Sequence, residues 1–168
     1  MRLSLAQRRK GAAVSEVQSS QGGARVRFPP PLAFAAAILA GAFLPGLRLS
    51  RGPLGVALGV AALLAGAGLI AAAVGLFRRS GQDPTPWKPS PALVIEGPFR
   101  YTRNPMYVGM TLLTLGIARL SGRGFIALFA FAALALVHFF VVLREEAYLT
   151  EKFGAPYRDY CKRVRRYV

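Results

Sequence analysis

Carboxylates are scarce in this chain. Seven Asp and Glu stand against 22 Lys and Arg in 168 residues, with one cysteine, one histidine and one tryptophan. A single thiol, Cys161, excludes an intrachain disulfide, and it lies too far from the final residue to form a C-terminal prenylation box. There is no Cys/His metal constellation, no Walker loop and no Ser/His/Asp set. Charge of either sign is thin: 17% of residues are charged and 54% hydrophobic, where a soluble domain carries about 25% charged residues. The length allows one domain and not two.

The apolar residues that dominate come in blocks rather than amphipathic stripes. The blocks are 32–47, 54–77, 105–118 and 125–143; the second holds no charge, and the fourth carries only His138 as a titratable group. A spanning helix needs about 20 apolar residues, roughly 17 to 25. The second and fourth blocks meet that length. The first and third are shorter and are expected to tilt, recruit flanking residues or pair closely with a neighbour; a buried core helix is the alternative for the third. Lys and Arg number six before the first block, two, five and two in the successive loops, and seven after the last block. This alternation is the positive-inside pattern. It places both termini and the loop 78–103 in the cytoplasm, and four spans satisfy it. A nucleic-acid surface is disfavoured, because no soluble domain remains to carry one. Lys162, Arg163, Arg165 and Arg166 are expected to meet anionic lipid head groups.

The sequence thus predicts an all-α integral membrane helical bundle of about four transmembrane helices with a C-terminal amphipathic helix. Residues 1–27, rich in Ser, Gln, Gly and Arg, read as a mobile basic tail. The first block begins too far in for a cleaved signal peptide. Residues 28–168 read as a single membrane domain with spans at about 32–47, 54–77, 105–120 and 125–143 and a cytoplasmic segment 144–168. A multi-pass protein of a bacterial-type inner membrane is expected. Gly55 and Gly59 form a small-xxx-small pair suited to close helix contact. Four prolines within 82–91 make that loop extended, with Trp87 as an interfacial anchor.

Two polar clusters then stand out. Asn104 before Pro105 reads as a helix N-cap followed by proline at the first helical position. That helix N-terminus suits a carboxylate or phosphate. The short linker 121–124 folds the last two spans into a hairpin, so Arg144, Glu145 and Glu146 return to the face of Asn104. Beyond Gly154, a helix stop, Tyr157, Tyr160, Val164 and Tyr167 fall at helical spacing and suggest an amphipathic helix on the membrane or over the site. A ligand with an anionic and a cationic end, or a ribose, fits the two clusters. His138 is an intramembrane ionisable residue and a functional candidate by default; the alternative is a bond to a neighbouring helix. Arg144 is a candidate to hold an anionic acceptor, the alternative being a snorkelling, lipid-facing charge.

The run Gly97-Pro98-Phe99-Arg100-Tyr101-Thr102-Arg103-Asn104-Pro105-Met106-Tyr107-Val108-Gly109 closely resembles the first signature of the isoprenylcysteine carboxyl methyltransferase and phospholipid methyltransferase superfamily. Glu145-Glu146, Leu149, Phe153-Gly154, Tyr157, Tyr160 and Val164 resemble the second. The resemblance covers about residues 80–168 and leaves out the first two spans. It implies an S-adenosylmethionine-dependent membrane methyltransferase. It also implies donor contacts from the backbone of Pro91, Ala92, Leu93 and Val94, then from Phe99, Asn104, Pro105, Met106 and Tyr107, with Glu145 from the last helix and Glu146 beside it. Arg103 joins them as a partner for the donor carboxylate. Asn104 stands where the family commonly has His: it can still donate a hydrogen bond, but it cannot serve as a titrating base. The implied acceptor is lipophilic, such as an isoprenylcysteine-like carboxylate. Alternatives are a phospholipid amine, a small thiol, or a non-enzymatic membrane protein on the same scaffold. No catalytic base and no metal are assigned.

Overall fold

A computed structural model describes residues 24, 28–81, 83–85, 88 and 90–167. The expected mobile tail, apart from Ala24, and the Trp87 anchor lie outside the described residues. Among the described residues the secondary structure is helical, apart from isolated bridges.

Helix α1 runs Pro30–Phe43, α2 Pro53–Arg79 and α3 Pro105–Ser121. Each opens on proline, whose fixed φ suits a first turn and whose missing N–H is not needed there. Helix α3 ends on Gly122 in the left-handed conformation (φ 70°), a C-terminal stop. Helix α4, Gly124–Val137, starts two residues later. It continues without a break through a π-helical turn, His138–Val142, into α5, Leu143–Phe153. Gly154, at φ 58°, separates α5 from α6, Ala155–Arg163.

The helices pack in the order α2–α3–α4–α1. The α2–α3 seam is glycine against backbone. A Cβ added to Gly66 would lie 2.6 Å from the carbonyl oxygen of Gly109, and one added to Gly116 would lie 2.8 Å from that of Gly59. Glycine recurs seven residues apart on both helices, so two such contacts stack along one seam. On the other side Ala33, Phe34 and Ala37 of α1 meet Ala133 and Val137 of α4, Val141 and Val142 of the π turn, and Tyr107 of α3.

Among the described residues two helices are long and apolar enough to cross a bilayer: Pro53–Arg79, with 27 residues, and Gly124–Phe153, with 30. Only 11% of the apolar window of the first and 33% of the second are buried in the protein. The core helix of a soluble protein would be mostly covered, so these exposed apolar faces suit lipid. Helix α1 has 14 residues and α3 has 17.

Two local expectations change. The first apolar block does not stay helical to Leu47: α1 stops at Phe43, and the chain turns to pair with the α3–α4 linker through Leu49 N–H to Gly122 O (3.0 Å) and Gly124 N–H to Leu47 O (2.8 Å). Nor does the C-terminal helix include Val164 and Tyr167. It ends at Arg163, and residues 164–167 are non-helical.

Candidate active site

The first turn of α3 is held from outside the helix. Asn104 occupies the cap position, but its side chain makes no cap bond. Its Nδ2 donates instead to the carbonyl oxygen of Arg166 (3.0 Å), which also accepts from Thr102 Oγ1 (3.1 Å). The Arg103 N–H donates to Arg165 O at 2.9 Å, and Thr102 and Arg165 form a parallel bridge. Residues 164–167 therefore lie as a strap along 102–104. Thr102 and Asn104 are both buried, and these bonds satisfy groups that would otherwise be costly to bury.

Helix α5 supplies the facing wall. The Tyr107 hydroxyl lies 3.1 Å from both carboxylate oxygens of Glu145. Glu146 is flanked by two guanidinium groups: Arg103 Nη1 is 3.1 Å from its Oε1, Arg166 Nε donates to Oε1 at 2.9 Å, and Arg166 Nη2 donates to Oε2 at 2.7 Å. The forked contact from Arg166 is the strong, directional kind. Arg103 Nη1 also lies 2.7 Å from Cys161 Sγ. Its Nε is buried with no hydrogen-bond partner among the described residues, so this arginine retains an unused donor.

Between these walls lies an open cleft of about 580 Å³, lined by Phe77, Ser90, Phe99, Tyr148 and Leu149 and by Arg103, Asn104, Pro105, Met106, Tyr107 and Glu145. An adjoining space of about 410 Å³ shares Phe77, Phe99, Arg103 and Leu149 and adds Ala92, Leu93, Val94, Tyr157 and Tyr160. Phe77 and Phe99 meet edge to face at 5.6 Å. The Tyr160 hydroxyl donates to Phe99 O at 2.7 Å, and burial pushes that phenol up to about 12. Burial raises the neighbouring Tyr157 phenol as well. Tyr157, Tyr160 and Val164 form a second apolar cluster with Leu93, Leu149 and Phe153, so α6 covers the cleft.

Most of the expected residues converge here. Phe99, Arg103, Asn104, Pro105, Met106, Tyr107 and Glu145 meet in the main cleft, and Ala92, Leu93 and Val94 in the adjoining one. Pro91 is exposed and lines neither. Glu146 stands behind the wall with its arginines. Arg144 is exposed and lines neither cleft. His138 also lines neither; its Nδ1 lies 2.9 Å from the Tyr167 hydroxyl. His138 lies seven residues before Glu145, which an unbroken 3.6-residue period would put on one face, but the π turn between them interrupts that period.

Other lining residues were not foreseen. Tyr148 and Leu149 follow Glu145 by three and four positions, so helical periodicity alone could have found them. Phe77 comes from the last turns of α2, a span that the two signatures leave out. Arg166 had no signal, because a strap held by single contacts has no period. It turns inward to Glu146 rather than outward to lipid head groups.

The sequence profile of the phospholipid methyltransferase family matches residues 54–156. The match starts within α2, one helix earlier than the signatures suggest. A curated relative, the protein-S-isoprenylcysteine O-methyltransferase of Schizosaccharomyces pombe, is 40% identical over 74 residues, which cover 43% of this chain and 30% of the relative. The matched segment thus spans less than a third of that relative's length. No solved structure matches the chain. With the family match running through α2, the hairpin and both walls of the cleft, the chain belongs to the phospholipid methyltransferase family.

Proposed function

We propose that the chain is an S-adenosylmethionine-dependent membrane methyltransferase acting on a lipophilic acceptor. The observation that carries this reading is the approach of Tyr107 to Glu145 at 3.1 Å, which closes one cleft between the two signatures of the family. The donor chemistry fits the residues present. Arg103, with its unpartnered buried Nε, and the α3 N-terminus suit a carboxylate. Glu145 suits an ammonium or ribose hydroxyls, and the aromatic wall of Phe77, Phe99, Tyr157 and Tyr160 suits a purine. Ala92, Leu93 and Val94 would contact it through their backbone, with Asn104, Pro105, Met106 and Tyr107 along the opposite side. Glu146 acts through Arg103 as a positioning residue.

Bound there, the donor would supply an electrophilic methyl group on a sulfonium. The chain's contribution is to hold both reactants in line and to exclude water. A carboxylate or thiolate acceptor needs no base, consistent with Asn104 at the position where the family commonly carries His. The exposed apolar faces of α2 and α4 favour an acceptor arriving from the bilayer, and a four-span topology with both termini cytoplasmic suits a water-soluble donor entering from the other side. Residues 28–168 form one domain on this reading.

The relative's name favours an isoprenylcysteine-like carboxylate as acceptor, and the family's name a phospholipid amine. Incubation of the purified protein with radiolabelled donor and a membrane lipid extract distinguishes them: base-labile label marks an ester, base-stable label an amine or thioether. Calorimetry with S-adenosylhomocysteine tests the donor site. Folded protein that gives no heat would falsify the cofactor assignment.

A further inference from the structure

The end of the bundle remote from the donor cleft gathers four arginines and, among the described residues, no acid. Arg48 and Arg51 lie in the α1–α2 loop, Arg119 in the last turn of α3 and Arg123 in the α3–α4 linker. No Asp or Glu occurs anywhere in residues 28–82 or 97–144. The two loops are locked together: Arg48 and Arg123 face each other in an antiparallel bridge, flanked by the Leu49–Gly122 and Gly124–Leu47 backbone bonds. Arg119 lies across Gly55, where a Cβ would collide with its guanidinium, and donates to the carbonyl of Ser50. Arg123 donates to the carbonyl of Ala42. These carbonyls fix the guanidinium groups without neutralising them, and each keeps further N–H donors free.

Apolar surface adjoins this charge. Phe43 is 84% and Leu54 73% exposed, with Leu44 and Leu47 exposed between them. A cavity of about 460 Å³ opens among residues 43–48, Gly122 and Arg123. The seventeen residues of α3 rise about 25 Å at 1.5 Å each, short of a hydrocarbon core of about 30 Å. The arginines at its end thus sit at or just below head-group level, where a short span draws the lipid in.

We propose that Arg48, Arg51, Arg119 and Arg123 bind the phosphate of an anionic phospholipid, whose acyl chains lie against Phe43, Leu44, Leu47 and Leu54. Cations with no counter-charge among the described residues, beside an exposed apolar strip, match an amphiphile with an anionic head.

The test is thermal unfolding of the full chain in mixed micelles. Phosphatidylglycerol should raise the Tm of the unaltered protein, and phosphatidylcholine should not. Arg48→Gln with Arg123→Gln should at least halve the rise, while Lys162→Gln with Arg163→Gln, at the other end, should leave it intact. An equal rise in the Arg48/Arg123 variant overturns the proposal, as does loss confined to the Lys162/Arg163 variant. An equal rise with inorganic phosphate alone would make the ligand a free anion and overturn the lipid claim. If the double variant does not fold, lipid co-purifying with single Arg48→Gln is measured by native mass spectrometry. Phosphatidylglycerol bound as in the unaltered protein overturns the proposal; depleted phosphatidylglycerol supports it.

Discussion

At the scale of single residues, Glu145 and Glu146 are neighbours with different tasks. Glu145 faces the cleft and Tyr107, whereas Glu146 faces Arg103 and Arg166. Replacing Glu145 with Ala should weaken S-adenosylhomocysteine binding at least tenfold, about 1.4 kcal/mol, with little change in Tm; calorimetry reads the first and thermal unfolding the second. Glu146→Ala should act mainly on stability, with a smaller loss of binding through the released Arg103. It strands two cations, and side chains of Arg103 and Glu146 only 13% and 16% exposed place the loss near the lower end of a buried pair, about 3 kcal/mol. Arg166→Ala should cost less, about 1 kcal/mol, because its side chain is 37% exposed. Adding Arg166→Ala to Glu146→Ala should then lower Tm little further, since the two changes remove one interaction. Tyr160 gives a pH signature. Burial raises its phenol to about 12, so the folded state favours the protonated form. That contribution is complete below the ordinary value near 10 and is lost as pH rises through about 12. The α6 cover should loosen across that window, and Tyr160→Phe should remove the tyrosinate absorbance step near 295 nm that is centred at about pH 12.

At the scale of elements, the π turn His138–Val142 decides how α5 faces the cleft. Such a turn is an α-helix with one residue inserted. Deleting Phe139, which is 63% exposed, should close the π turn into an ordinary α-helical one and leave everything beyond it in nearly its present phase. Glu145 should stay beside Tyr107, and donor binding should survive the deletion while the protein still inserts in membranes. Fractionation and calorimetry on the same preparation check both halves. This element also marks where sequence reading stops. The α3 start at Pro105, the hairpin at Gly122 and the approach of Glu145 to residues 104–107 were legible, because proline, glycine and apolar block lengths act locally. The π turn was not, because 125–143 is apolar all round and offers no stripe from which to read a phase. The strap 164–167 was hidden for a related reason: Val164 and Tyr167 continue the spacing of Tyr157 and Tyr160, and only tertiary contacts, Arg165 with Arg103 and Tyr167 with His138, pull the chain out of the helix.

At the scale of the whole molecule, the four-span reading rests on the basic loops and on two helices too short to span without help. A fluorescent protein fused after residue 168 should fold in the cytoplasm of a bacterial host, and alkaline phosphatase inserted at Gly122 should be active. Reversed activities would refute the topology.

The glycine seam between α2 and α3 has a kinetic consequence. Carbonyl oxygens seated where side chains would otherwise stand leave no slack for one helix to slide or tilt on the other. The bundle is therefore a fixed frame, and on the proposed function spent donor would not leave by its opening. Exchange falls to the strap and α6, which are held by a few hydrogen bonds and one forked ion pair. Turnover on the proposed reaction would then be paced by the last dozen residues rather than by the membrane helices, and slowing that segment would slow the enzyme without touching a reacting group.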